Sequence, residues 1–220
     1  FMELMGCKTV SKYKKLSKMN RKIALILLVV AIPLFGFAID PIPDAEHDYL
    51  VIISTEYGDM KIMLHDDTPK HKKNFVKLAK AGVYDNITFH RVIDDFMIQT
   101  GDPKTRNKPA DYDPSIIPET LPAEIRDNHK HIYGAVAAAR LGDKENPERR
   151  SSGTQFYIVE NTKGAPHLDG KYTVFGQVID GYQVINKIAD QPTGKKDRPK
   201  EDIRMTVEVK KVKRDEMFNF

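Results

Sequence analysis

The chain has 220 residues, a formal net charge of +4, 40% apolar residues, one cysteine and no tryptophan. The first 38 residues hold seven Lys/Arg and one acid, which leaves 28 Lys/Arg against 30 Asp/Glu, a net of −2, for Ile39 to Phe220. The basic balance therefore belongs to the leader, and a nucleic-acid partner is excluded as a reading of net charge. No segment repeats at a fixed period, so one domain is expected.

Residues 1–18 are polar and basic and read as an upstream extension, because Met19 stands where a signal should begin. Asn20-Arg21-Lys22 is a short positive region, Ile23 to Phe37 is apolar but broken by Pro33 and Gly36, and Gly36-Phe37-Ala38 places small residues at a cleavage site. Residues 19–38 thus read as an export signal cleaved after Ala38. The alternative is an uncleaved anchor facing the periplasm, although a span needs roughly 17 to 25 apolar residues. Cys7 lies in the leader, so the exported chain has no thiol or disulfide chemistry. Residues 39–47, with Pro41 and Pro43, read as a linker, 48–212 as the domain, and 213–220 as a C-terminal tail.

Tyr49 to Thr55 and Met60 to Leu64 are apolar runs separated by Glu56-Tyr57-Gly58-Asp59, a hairpin signal. Thr68-Pro69 opens a helix, with Thr68 as N-cap and Pro69 in the first turn. Phe75, Leu78 and Ala79 fall at helical spacing on one face, and Gly82 stops the helix. Ile87 to Ile93 and Phe96 to Thr100 are β-like runs joined at Asp94-Asp95 and ended by Gly101-Asp102-Pro103. Period-two alternation puts Arg91 on one face with Phe89 and Ile93, and Met97 with Gln99. A cation and an amide among large apolar side chains fit either a snorkelling arginine over a wet strand or half of a site.

Lys104 to Pro118 has no periodicity and reads as a surface loop leading to an extended piece at Leu121 to Ile125. Gly134 to Ala139 fits helix or strand by period alone. Gly142 to Ser152 is a solvated loop, Gln155 to Val159 and Thr173 to Ile179 are strands, Tyr182 to Ile188 is a short helix, and Ile203 to Val212 alternates as a half-wet strand. Many strands joined by short turns, with two helices, predict an all-β barrel or sandwich with helical plugs.

Three segments together resemble the cyclophilin family of peptidyl-prolyl cis-trans isomerases: Phe89 to Ile93 with Phe96 to Asp102, Ser152 to Ile158, and His167 to Gly176. Their order and spacing agree, and the similarity covers about Asp48 to Val209. The resemblance implies an eight-stranded, closed antiparallel β-barrel capped by two helices, with a proline-binding groove on its outer surface. Gly134 to Ala139 then becomes strand. By matching position, Arg91 would be the catalytic arginine and Gln99 a partner that orients it or the substrate. Phe96, Met97, Tyr157 and Leu168 would wall the proline pocket, and His90, Ala139, Arg140, Gln155, His167 and Tyr172 would line the peptide groove. Proline-containing polypeptides are the implied partners, no cofactor is required, and a monomer is expected.

The chain departs from the family pattern where His167 replaces the common Trp, Tyr172 the common His, Tyr157 a Phe and Arg140 an Asn. Loss of the Trp predicts weak binding of the cyclic peptide cyclosporin, and the Tyr157 hydroxyl, if buried, needs a partner or water. His129-x-His131 reads as a solvated loop rather than a metal pair, because no carboxylate or Cys is spaced to complete a site. His90 is read as structural or groove-edge, since isomerisation moves no proton to or from carbon. Ser151 and Ser152 with His167 and Asp169 lack a nucleophile elbow, and Lys195 to Lys200 reads as a solvated basic turn. A binding module that keeps the groove without catalysis is the competing class.

Overall fold

Eleven strands and two α-helices order residues 46–219, the part of the chain that the computed structural model describes, which lies within one unit, residues 43–220. The expected upstream extension, the signal or anchor and most of the linker fall outside the described residues. Among the described residues no helix is long and apolar enough to cross a membrane. The strands are β1 (His47–Thr55), β2 (Gly58–Leu64), β3 (Ile87–Thr88), β4 (Arg91–Ile93), β5 (Met97–Thr100), β6 (Thr120–Leu121), β7 (Ala135–Ala138), β8 (Ser151–Ser152), β9 (Phe156–Val159), β10 (Val174–Asp180) and β11 (Arg204–Lys213). Helix α1 is Pro69–Lys80 and helix α2 is Tyr182–Ala189.

Nine strands form one antiparallel sheet in the order β3-β11-β1-β2-β10-β7-β9-β5-β4, and β6 pairs with β8 in a small second sheet. The two edges of the large sheet, β3 and β4, are halves of one sequence run. Between them Phe89 N–H donates to Ile203 C=O and His90 N–H donates to Gln99 C=O, so consecutive residues bond to opposite edges. The count is therefore nine rather than the eight expected, because the strand predicted over Ile87 to Ile93 breaks at Phe89-His90 where the curled sheet meets itself. The break also shifts parity. Ile87, Phe89 and Val92 all point into the core, while Arg91 and Ile93 point out. The expectation that Phe89 shares a face with Arg91 fails for that reason.

Helix α1 starts with Pro69 as predicted, but Thr68 makes no side-chain cap. Its hydroxyl donates to His65 C=O instead. The free N–H groups of Lys70 and His71 donate to the two carboxylate oxygens of Glu124 at 3.1 and 3.0 Å. A buried carboxylate far along the chain thus does the work assigned to the local threonine, satisfying donors that have no intrahelical partner and opposing the helix dipole. Glu124 also takes His71 Nδ1 at 2.7 Å. Burial would raise the Glu124 pKa, but these three hydrogen bonds hold it below the usual carboxylate value. At the other end Gly82 (φ +71°) donates to Ala79 C=O and Val83 N–H to Leu78 C=O, the paired bonds of a left-handed glycine terminator.

Inside the sheet, Phe75 of α1 packs on Tyr84 and Phe156 at ring separations of 4.9 and 5.3 Å. Val51, Ile62, Ile98, Ile158, Phe175 and Ile185 complete this core. A second apolar cluster lies on the opposite face of β5, β9, β7 and β10: Met97, Ala135, Ala137, Tyr157, Val159, Ala165 and Val174. Every residue of β7 and β9 is buried, since both faces of these strands are covered. That is why Gly134 to Ala139 shows no period of two, even though it is a strand.

Candidate active site

The outer cluster is the floor of the candidate site. Met97 and Tyr157 are buried in it, and Phe96, Ala139, Leu168 and Tyr172 pack against it half-buried, as a rim. Antiparallel register builds the arrangement. Arg91 pairs with Gln99 across β4 and β5, and Gln99 pairs with Tyr157 across β5 and β9, so an arginine, an amide and an aromatic ring stand in one row on one face. Strand β5 ends in Gly101 (φ +90°), where an added Cβ would lie 2.4 Å from Thr154 C=O, so glycine alone lets this turn pass against the chain entering β9.

Arg91 keeps 41% of its side chain exposed on this face. Its Nε donates to Asp197 Oδ2 at 3.4 Å. The Gln99 amide turns elsewhere, donating to Gln155 Oε1 at 3.1 Å and lying 3.4 Å from His90 Nε2. The guanidinium thus meets Asp197 rather than Gln99, in a long, half-exposed contact, and Gln99 ties the groove residues Gln155 and His90 together. Asp197 and its neighbour Lys196 both adopt left-handed backbone (φ +58° and +60°), a conformation that costs a non-glycine residue free energy and that points Asp197 at Arg91. The basic residues of the run Lys195 to Lys200 are exposed, as that reading expects, while Asp197 turns toward Arg91.

His167 is exposed, and its ring lies 5.6 Å from that of Phe96, tilted by 32°. The position of the family's Trp thus still carries a ring beside the pocket. Arg140 turns back on the protein. Its guanidinium sits 4.3 Å over the Tyr172 ring, its Nε donates to Lys171 C=O, and it pairs with Asp143 at 2.7 Å. Only 4% of the Arg140 side chain is exposed. It braces the Tyr172 wall, while Ala139 N–H donates to Gln155 C=O along the groove floor. Burial lowers the His90 pKa, with Arg91 and Arg198 adding to it against Asp102.

Two residues read as solvated are enclosed. His131 is buried without exposed side-chain surface and bridges Asp169 to the Tyr157 hydroxyl, which supplies the partner that Tyr157 needs. His129 stacks on His65 at 3.8 Å and bonds to Asp67 at 2.6 Å. Among the described residues no group of three or more His, Cys, Asp or Glu is placed to hold a metal ion. Ser152 Oγ accepts from the N–H groups of Thr154 and Gln155, shaping the turn into β9. Asp197, His131 and Asp169 were missed as site residues. Asp169 lies within the third resembling segment, but neither it nor the others carries a local signal of its contact.

An apolar bed with a partly buried rim and one guanidinium at its edge can pack an apolar ring and stabilise charge that develops beside it. The model of the cyclophilin-type peptidyl-prolyl cis-trans isomerase family matches residues 50–209. A peptidyl-prolyl cis-trans isomerase of Arabidopsis thaliana is 40% identical over 157 residues, 70% of this chain and 91% of that one. A putative peptidyl-prolyl cis-trans isomerase of Staphylococcus saprophyticus is 36% identical over 180 residues, covering 70% of this chain and 87% of that protein. A putative bifunctional phosphatase/peptidyl-prolyl cis-trans isomerase of Streptococcus pyogenes is 38% identical over 188 residues, but the match spans only 38% of that longer protein. Among solved structures, a cyclophilin-type isomerase of Cryptosporidium parvum, crystallised in the presence of the dipeptide Ala-Pro, superposes with a TM-score of 0.63 at 31% identity. That match covers 73% of this chain and 98% of the other.

Proposed function

The chain belongs to the cyclophilin-type peptidyl-prolyl cis-trans isomerase family, and we propose that it accelerates rotation about X-Pro bonds of exported polypeptides, with Arg91 as the catalytic residue. An X-Pro bond resists rotation by about 18–20 kcal/mol because amide resonance must be lost, and the uncatalysed event takes tens to hundreds of seconds. Twisting pyramidalises the prolyl nitrogen and localises its lone pair. A guanidinium aimed at that nitrogen favours the twisted amide over the planar one, so its interaction lowers the barrier instead of merely binding substrate.

Phe96, Met97, Tyr157 and Leu168 hold the prolyl ring while the acyl side turns, and the same walls exclude water that would compete for the guanidinium. Asp197 fixes Arg91 from outside the pocket, and Gln99 with Gln155 and His90 shapes the groove beside it. Export follows from the leader sequence, and cyclosporin is expected to inhibit weakly because His167 offers less surface than the family's Trp, which an inhibitor competition assay checks. The observation that carries the proposal is the row Arg91–Gln99–Tyr157 standing over an apolar cluster on the outside of the sheet.

A protease-coupled assay on an X-Pro peptide, wild type against Arg91→Ala, tests it. Loss of one preorganised donor at developing charge predicts about 10²- to 10³-fold lower kcat/KM. Equal rates would refute the role of Arg91, and tight peptide binding by a wild type that gives no acceleration would identify a binding module.

A further inference from the structure

His131 touches the proline pocket only from behind. Its Nδ1 lies 2.8 Å from Asp169 Oδ1, which also accepts the His131 backbone N–H at 2.9 Å. Its Nε2 lies 3.0 Å from the Tyr157 hydroxyl, with the two rings near parallel at 13°. These contacts set the direction of each bond. An ionised carboxylate only accepts, so Nδ1 carries the ring proton; the neutral ring then leaves a lone pair on Nε2, which accepts the Tyr157 proton.

The surroundings keep both groups in those forms at neutral pH. Burial lowers the His131 pKa; Asp169 opposes the shift, and His167 adds to it. Burial, joined by Tyr172 and Asp169, raises that of Tyr157 against Arg140. Asp169 itself stays ionised, since the two bonds from His131, with Lys130 nearby, outweigh its partial burial. The Tyr172 ring, capped by Arg140, meets the rings of both His131 and Tyr157 edge-on.

We propose that His131, held by Asp169, is a positioning residue that fixes the tilt of the Tyr157 wall and so sets the affinity of the pocket for the prolyl ring, an affinity that weakens in mild acid. Protonation would turn Nε2 into a donor, and the Tyr157 hydroxyl proton would have to turn toward another acceptor. The bond at 3.0 Å would then reverse, with Nε2–H donating to the Tyr157 oxygen, and a hydroxyl proton left without that acceptor in an apolar bed shifts the tilt of the ring. This inference rests on the assignment of the pocket given above.

The test is a mutant cycle on the full chain, reading KM and kcat separately. Loss of one buried hydrogen bond predicts that His131→Leu raises KM about fivefold with kcat held within about twofold, and that the same change raises KM by less than about 1.5-fold when Tyr157 is already Phe. An equal rise in both backgrounds would overturn the proposal, because a merely structural histidine does not depend on one hydroxyl. If His131→Leu fails to fold, pH decides. Wild-type KM should stay level above about pH 6.5 and rise as pH falls below it, because burial lowers the His131 pKa, while that of Tyr157→Phe stays flat, and parallel rises would overturn it. Arg91→Ala in the same assay separates the two failures. Wild-type turnover by that variant would overturn the pocket assignment and this inference together, whereas lost turnover with equal His131→Leu effects overturns the inference alone.

Discussion

The two faces of strands β5, β7 and β9 bury side chains to different ends. Inward, Ile98, Val136, Ala138, Phe156 and Ile158 join a core whose aromatic rings interlock with Phe75 and Phe175. Outward, Met97, Ala135, Ala137, Tyr157 and Val159 form a smaller apolar bed, covered only in part by Phe96, Leu168 and Tyr172 and edged by Arg91, Gln99 and Gln155. Inner positions need volume and apolarity, and many residue types would supply both. The outer bed needs shape and a charge at a fixed place, so its polar rim is held by specific bonds. Stability and chemistry therefore sit on opposite sides of a single layer of backbone.

That separation can be broken from the inside first. Phe75→Ala should cost about 3–5 kcal/mol, the range for emptying a large aromatic site in a packed core. Urea unfolding checks this, and the folded fraction should keep its kcat/KM. A drop in turnover beyond the unfolded fraction would mean that the two faces are coupled through the sheet. Glu124→Ala comes next. It strips two backbone donors of α1 and leaves the buried His71 Nδ1 without its partner, for about 2–4 kcal/mol, again read from denaturant midpoints.

The smallest effect is a pH dependence. Burial next to His129 pulls His65 down to about 4, and burial also lowers His131. The unfolded chain, with histidines near 6.5, binds more protons than the folded one across this interval. Stability should hold above about pH 6.5 and fall as pH drops toward 4, where His65 protonates in the folded state as well. Unfolding midpoints that stay constant from pH 7 to pH 4.5 would contradict this, and His65→Asn should flatten part of the slope.

Local patterns carried much of the fold. The hairpin of β1 and β2, Pro69 and Gly82 at the ends of α1, and the three resembling segments are all contiguous signals, and each lies close to where the chain reads it. What stayed hidden depends on contacts between distant residues. Glu124 caps a helix that starts 55 positions earlier, and no feature of its own neighbourhood marks it. The break at Phe89-His90 comes from the curled sheet meeting itself, and it reverses a face assignment that alternation alone makes with ease. Of the site, Arg91, Gln99 and the pocket walls stood together in the resembling segments. Both Asp197 and His131 lie in segments that read as solvated loops; His131 is buried, and a buried polar residue looks like an exposed one until its partner is known, whereas Asp197 stays half exposed and only its contact with Arg91 is hidden.

The most direct test pairs two measurements on one sample of Arg91→Ala: X-Pro cis/trans exchange by NMR and the thermal midpoint. Arg91 is partly exposed on the outer face, so the account predicts exchange slowed by about 10²- to 10³-fold with a midpoint close to wild type. Wild-type exchange in a fully folded variant would contradict it.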